Sequence, residues 1–391
     1  PKNGGTDMGR LDDCYNIADL REVARKRLPK GVFQYLDLGT EDMVALANNR
    51  RFIQETKLLN RVLVDVSKID TSASIFGAQT SLPMAIAPTG IAGLTWFEGE
   101  LELAKAAAAA GVPFALATGS NTAMEKIAEV GGRPWFQLYM WREKQLSYEL
   151  VKRAQSAGFE ALIWTVDIGL GANREHNKRN GFNTPYKANM KSVVDMALHP
   201  EWMLTVMARY LLSGGMPRHE NYPPIYRDKM TGKASQAKAL RADSVSWDDV
   251  NRLRDLWPGK LIIKGIMRPD DACMAVERGA DAIVISNHGG RNLDSAPSTL
   301  DVLPGIVKAV DKKATVIVDS GVRRGSDLVK CLALGADFVL TGRATLYGTA
   351  AGGQDGAAKA LAILKDELRR TMSYVGCPTI GEINGDVLWK G

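Results

Sequence analysis

An apolar run of strand character, Ala282-Ile283-Val284-Ile285, ends abruptly in Ser286-Asn287-His288-Gly289-Gly290-Arg291. The paired glycines permit a sharp turn and a close approach of backbone to a ligand. His288 and Arg291 then project from the end of a buried strand. An imidazole is a base near neutral pH, and a guanidinium is a fixed cation suited to a carboxylate. A base beside an anion clamp suits proton or hydride chemistry on a small acid. The other histidines, His176, His199 and His219, lie in polar or irregular stretches. An isolated histidine is more often structural; the neighbours of His288 favour chemistry.

A second signature follows. Asp319 ends an apolar run and leads into Ser320-Gly321-Val322-Arg323-Arg324-Gly325, and Gly342-Arg343 follows the next run. Gly321 and Gly342 let N–H groups approach an anion while Arg323 and Arg343 supply charge, which reads as a phosphate cradle. For Asp319 two readings stand together: a ribityl contact, or a core carboxylate paired to an arginine. Lys264 ends a strongly apolar strand, so its ammonium must meet a compensating group. It suits either charge stabilisation on a reduced flavin ring or a Schiff base, as in a barrel aldolase. The cradle fits both. A histidine with a paired aspartate and two arginines fits the flavin better.

Such residues need a scaffold that gathers strand ends. Eight short apolar segments stand out, at 84–89, 114–118, 135–140, 161–167, 261–266, 282–287, 315–319 and 338–341. Most are continuous rather than alternating, as in strands buried on both faces. Helical patterns lie between them, at 100–110, 124–130, 144–156, 248–256, 270–278, 300–309 and 326–334. Gly111, Gly158, Gly279 and Gly335 each follow a helix pattern, where a left-handed C-cap belongs. This alternation predicts an α/β fold, a (β/α)₈ TIM barrel. An open doubly wound sheet is disfavoured because no GxGxxG opens an early helix.

In a barrel the strand C-termini converge. They offer Pro88, Thr89 and Gly90; Thr118 and Gly119; Gln137 and Tyr139; Thr165 and Asp167, with Arg174 just after; Lys264; Ser286, His288 and Arg291; Asp319 with Gly321 and Arg323; and Gly342 with Arg343.

Two parts fall outside the repeat. Helical patterns at 17–27, 30–38 and 41–57 are expected to cap one end of the barrel. Ninety-three residues, 168–260, then separate the fourth and fifth strands, far more than an ordinary loop. Residues 181–243 form this insertion, with nine Lys/Arg against five Asp/Glu. Its stretch 192–212 is rich in Val, Met, Leu, Trp and Tyr, and suits a helix lying on a membrane or one packed on the barrel or another subunit.

The 391 residues carry a net charge of +6, and no aromatic–basic interleaving of the kind that binds single strands, so no nucleic acid is expected. The four cysteines form no CxxC pair, which argues against a disulfide framework or a metal site and favours a reducing compartment. No apolar run approaches a membrane span, and the first residues show no signal core.

The segments LPKGVFQYLDLGTED, APTG, WFQLY, TVD, NREHNKRNGF, IIKG, SNHGGRNLD, DSGVRRG and GRA together resemble the FMN-dependent 2-hydroxy acid dehydrogenase and oxidase family. That family includes glycolate oxidase, flavin-using lactate dehydrogenases and (S)-mandelate dehydrogenase. The resemblance runs from about Ile17 to about Cys377. It implies one FMN-binding barrel domain over residues 1–391, with FMN at the strand C-termini.

By motif, His288 resembles the active-site base and Asp167 the carboxylate that stabilises its protonated form. Arg291 and Arg174 resemble the clamp for the substrate carboxylate, helped by Tyr35, with Tyr139 hydrogen-bonding the substrate. Lys264 resembles the lysine near the flavin N1 and C2 carbonyl. Thr118, Gln137 and Thr165 resemble ring contacts, the Thr89–Gly90 backbone resembles the stretch near N5, and Pro88 joins the cofactor set. Ser286, Asp319, Gly321, Arg323, Gly342 and Arg343 complete the cofactor set.

The chain also departs from the pattern. Gly119 stands where glycolate oxidase has tryptophan and Gly90 where it has alanine, which enlarges the substrate side. The expected substrate is therefore an aromatic 2-hydroxy acid, mandelate first, with lactate or glycolate as the alternative. Ser320 replaces a glycine and Phe33 a tyrosine. The long insertion holds the position of the membrane-binding segment in (S)-mandelate dehydrogenase. The expectation is a homotetramer on the cytoplasmic side of a membrane, passing electrons to a quinone-type acceptor. A soluble cytoplasmic enzyme using oxygen is the alternative.

Overall fold

The computed structural model describes residues 10–169, 171–182, 189–227 and 242–391. A hairpin of β1 (Ala73–Ile75) and β2 (Ala78–Thr80) precedes eight barrel strands. These are β3 (Met84–Ile86), β4 (Phe114–Ala117), β5 (Pro134–Leu138), β6 (Ala161–Thr165), β7 (Lys260–Ile266), β8 (Ala282–Ile285), β9 (Thr315–Val318) and β10 (Phe338–Thr341). They close in the order β10-β3-β4-β5-β6-β7-β8-β9, every pair parallel. The expected (β/α)₈ barrel is the fold. Most strands stop one to three residues short of the apolar segments that announced them.

Inside the barrel, small Ala85, Ala115, Ala161 and Ala282 alternate with bulky Trp135, Ile163, Ile262 and Phe338. The interior is therefore packed rather than hollow. The helices lie outside, their apolar stripes against the strands. Gly111, Gly158, Gly279 and Gly335 all adopt positive φ, as the C-cap pattern required.

The capping expectation divides in two. The β1–β2 hairpin closes the N-terminal mouth, with Phe76 against Trp135 at 5.6 Å between ring centroids and Arg133 donating to the carbonyls of Ile75 and Ala78. Sequence reading placed no strand there, because three-residue strands carry too short a pattern. The helix Lys30–Asp37 instead lies over the opposite end, where the carbonyls of Leu36 and Leu38 accept from Arg343. The helix Ile17–Arg27, capped by Asn16 and Asp19, packs along a long C-terminal helix, Arg343–Val375. That last helix was also unannounced. It breaks at Gly352–Gly353, and Gly348 approaches Gly356 too closely for a Cβ.

The insertion forms a helix, Met190–Ala197, then a second over 200–213 with a π-helical turn at Met203–Met207. Trp202, Val206 and Tyr210 face inward. Trp202 Nε1 donates to Leu94 O at 2.7 Å, and Tyr210 packs on Phe97 at 4.8 Å. Met190, Val193, Val194, Leu198, Leu204, Leu211 and Leu212 are exposed. Of the two expectations, packing on the barrel is what one side of this element shows, while its other side exposes apolar residues. The rest of the insertion expectation, at 183–188 and 228–241, lies outside the described residues. Among the described residues no helix is long and apolar enough to cross a membrane.

Candidate active site

A cavity of about 830 Å³ opens at the C-terminal ends of the strands. Its lining includes Tyr35, Pro88, Thr89, Gly90, Gly119, Gln137, Tyr139, Thr165, Asp167, Arg174, Lys264, His288, Arg291, Asp319, Gly321, Arg323, Gly342 and Arg343. Residues separated by up to three hundred positions meet because eight strand ends surround one axis.

Thr118 and Ser286 were expected among these and do not line the cavity. Their hydroxyls are engaged within the protein. Thr118 Oγ donates to Gln137 O at 2.6 Å and accepts from Tyr139 N at 3.1 Å. Ser286 Oγ accepts from Lys264 Nζ at 2.8 Å and from His288 N at 3.1 Å. Each thus sets the position of a neighbour that does face the cavity. Gln137 Nε2 donates to Thr165 Oγ at 3.0 Å, completing a polar row across β4, β5 and β6.

The turn after β8 places His288. His288, Gly289 and Gly290 take φ of 57°, 67° and 71° in succession. Few non-glycine residues take this left-handed conformation, and Ser286 Oγ, accepting from His288 N at 3.1 Å, holds the turn. The turn directs the ring so that Nδ1 meets Asp167, at 3.0 and 3.1 Å from its two oxygens. Nε2 lies 3.4 Å from Tyr139 Oη, a loose contact. Burial pushes the imidazole below its usual pKa, reinforced by Lys264 and Arg174 and opposed by Asp167. Burial pushes Asp167 up, but the His288 charge and hydrogen bond, with Lys264, bring it below the usual carboxylate range. The resting pair is therefore a neutral imidazole beside a carboxylate. Asn292, which sequence reading missed, donates to Asp167 O at 2.8 Å and holds that loop.

Lys264 is fully buried, yet its Nζ lies 3.2 Å from Asp319 Oδ2. Burial alone would lower its pKa; Asp319 and Asp167 outweigh it and raise it. The amine is a held ammonium at neutral pH, which does not suit a Schiff-base nucleophile. Of the two readings for Asp319, pairing with an arginine is not found among the described residues; its cationic partner there is Lys264. Ser320, at φ 79°, donates to Asp319 Oδ1 at 2.7 Å and accepts from Gly289 N at 3.0 Å. These bonds offset the cost of a serine where glycine is easier.

Arg291 and Arg343 are anchored on backbone carbonyls. Arg291 Nη1 donates to Tyr35 O at 2.7 Å and Leu38 O at 2.8 Å. Burial lowers its pKa well below the usual value, with Arg174 and Arg343 adding repulsion. Arg343 donates to the carbonyls of Leu36, Gly289 and Leu38, and burial with Arg323 nearby pushes it down to about 10. Five arginines, Lys178 and Lys264 thus line the cavity with Asp167, Asp243 and Asp319, and all three carboxylates are already paired. Anionic ligands would relieve that imbalance, so the donor set fits a phosphate and a carboxylate together.

The profile of FMN-dependent dehydrogenases matches residues 24–390. The chain belongs to the FMN-dependent dehydrogenase family. It is 40% identical to (S)-mandelate dehydrogenase of Pseudomonas putida over 377 residues, covering 96% of this chain and 94% of that one. It is 38% identical to an L-lactate dehydrogenase of Ectopseudomonas mendocina, covering 95% and 98% of the two chains. An L-lactate oxidase of Nostoc is 39% identical, covering 97% and 100%. Among solved structures, the monotopic membrane protein (S)-mandelate dehydrogenase superposes with a TM-score of 0.92 at 39% identity, covering 97% of this chain and all of that one. As a member of the FMN-dependent dehydrogenase family, the protein uses FMN and acts in 2-hydroxy acid oxidation.

Two histidines dismissed from sequence prove to be buried. His219 lines the cavity, and burial, with Arg291, Arg174 and Arg179 nearby, pushes His176 down to about 4. The local sequence around each is polar, so only the fold reveals that they are covered.

Proposed function

We propose that the protein oxidises an aromatic (S)-2-hydroxy acid, (S)-mandelate first, to the 2-keto acid and passes the electrons to a membrane quinone-type acceptor. The observation that carries this is the His288–Asp167 pair facing the same cavity as Arg174 and Arg291, beside open space at Gly119.

FMN, when bound, supplies the two-electron acceptor. Arg323, Gly321, Gly342 and Arg343 would hold its phosphate, and Asp319 the ribityl chain. Lys264, Gln137, Thr165 and the Pro88–Gly90 backbone would face the ring. Arg174 and Arg291 clamp the substrate carboxylate and Tyr35 and Tyr139 assist, so the reacting carbon is held in one orientation. His288 Nε2 accepts a proton from the substrate. Asp167 stabilises the imidazolium that results, as a carboxylate fixed to Nδ1 does.

The exposed apolar face of 190–212 supports docking on a membrane surface, and the monotopic relative favours the same reading. L-lactate is the second reading, favoured by the similar identity of the lactate-named relatives. Anaerobic mixing of purified protein with (S)-mandelate and with L-lactate separates them. Faster bleaching of the flavin band by (S)-mandelate is expected. Faster bleaching by L-lactate would keep the class and overturn the substrate, and a protein that takes up no FMN would overturn the function.

A further inference from the structure

The insertion does more than carry an apolar outer face. After its helices the chain returns over the loop that follows β4 and is stitched to it. Glu220 N donates to Ser120 O at 3.1 Å, and Asn121 Nδ2 donates to Arg218 O at 3.0 Å. Asn221, fully buried, accepts from Met124 N at 2.9 Å and donates to Ser120 Oγ and Thr122 O at 2.8 and 2.9 Å. These bonds fix His219 and Tyr222, 8% and 6% exposed, as part of the cavity wall.

The wall stands where the cavity has been widened. At Gly119 a Cβ would meet nothing within 4 Å, and at Gly90 a Cβ would lie 3.3 Å from Gly119 O. His219 Nδ1 lies 3.2 Å from that same Gly119 oxygen. One carbonyl is thus shared by the two glycines that remove bulk and the histidine that bounds the resulting space. The imidazole lies flat on Tyr222, with centroids 4.4 Å apart and planes 21° from parallel. Tyr222 in turn meets Trp141 edge-on at 4.8 Å. The result is a wall of three aromatic rings, with the imidazole facing the cavity.

We propose that His219, seated on Tyr222, is a specificity-determining residue that closes the Gly90–Gly119 space and selects a flat, unsaturated side chain on the 2-hydroxy acid over a short aliphatic one. A planar ring offered to a planar wall gains contact that a methyl group does not reach. Aromatic pairs add roughly 0.5–1.5 kcal/mol beyond area burial, about 2- to 12-fold in binding. This rests on the 2-hydroxy acid reading above.

The test compares wild type, His219→Ala and His219→Phe. Flavin reduction is followed with (S)-mandelate and L-lactate, and binding of phenylacetate and acetate, which have no hydroxyl to oxidise, is measured by calorimetry on the FMN-loaded protein. His219→Ala is expected to lower the mandelate-to-lactate ratio of kcat/KM about 3- to 10-fold, and the phenylacetate-to-acetate affinity ratio by a like factor. His219→Phe, which keeps a flat ring, should restore both ratios. Ratios unmoved in His219→Ala overturn the proposal, as does an equal loss with both acids that Phe does not rescue. Should His219→Ala not fold, Tyr222→Leu removes the seat and must lower the same ratios; unchanged ratios there also overturn it. A wild type that favours L-lactate sinks the aromatic reading on its own, while the shift in ratio still decides the wall. If neither acid reduces the flavin, the function fails and the binding ratio decides the wall.

Discussion

Nδ1 of His288 points between the two carboxylate oxygens of Asp167, at 3.0 and 3.1 Å. The fork fixes the tautomer: the proton stays on Nδ1, and Nε2 is left to accept on the cavity side. The pH behaviour follows with a definite sign. His288 must be neutral to act as a base, and its pKa lies below the usual histidine value. The rate of flavin reduction should therefore rise with pH through a midpoint below about 6.5 and be flat across neutrality. Asp167→Asn removes the influence that raises the imidazole pKa, so the midpoint should move further down while the plateau falls roughly 10²- to 10⁴-fold. A midpoint that moves up would contradict this electrostatic account. The measurement is stopped-flow reduction from pH 4.5 to 9.

His288→Ala should lose nearly all turnover and keep FMN. Its flavin content, read from the visible spectrum, separates a lost base from a lost fold. Turnover close to wild type would remove His288 from the mechanism.

Arg291→Lys should raise KM for the acid roughly 10- to 100-fold, since a charged hydrogen bond contributes about 1.5–3 kcal/mol and lysine lacks the planar fork. Its backbone anchors at Tyr35 and Leu38 are also lost, so the helix Lys30–Asp37 should open more readily. Steady-state kinetics and hydrogen exchange over that helix read the two effects separately.

Lys264→Met leaves the buried Asp319 carboxylate without its ammonium, at a cost of about 3–5 kcal/mol. Denaturant unfolding should show that loss. The double variant Lys264→Met/Asp319→Asn should recover most of the stability without recovering flavin reduction. If the double variant is as unstable as the single one, the pair is not what holds this part of the barrel together.

Leu204 and Leu212 lie on the exposed apolar face of the insertion. Leu204→Glu/Leu212→Glu should abolish flotation with anionic liposomes while soluble-dye turnover continues, as should deletion of residues 188–216. Flotation that survives both changes would remove the membrane reading of this face.

Much of the site is legible in the sequence. His288 was marked by the two glycines after it, and Arg323 and Arg343 by glycines at strand ends. Lys264 was marked by an ammonium at the end of an apolar run, which required a partner without naming it. The structure supplied Asp319, from a strand two places along the barrel. The β1–β2 hairpin was missed because it is too short for periodicity, and the C-terminal helix because Gly352 and Gly353 interrupt its pattern.

By itself, the sequence determined the alternation of buried strands and helices, and hence the barrel. Side-chain periodicity is a local property, and closure is the way eight such units bury both faces of every strand. The sequence also determined which chemical groups stand at the strand ends. Only the tertiary structure decided which groups touch. It turned Thr118 and Ser286 inward, made Lys30–Asp37 a lid of carbonyls over two arginines, and brought His219 to Gly119 across a hundred residues. Those outcomes depend on loop paths and on the balance of burial against pairing for each polar group, which are set by the whole packed molecule.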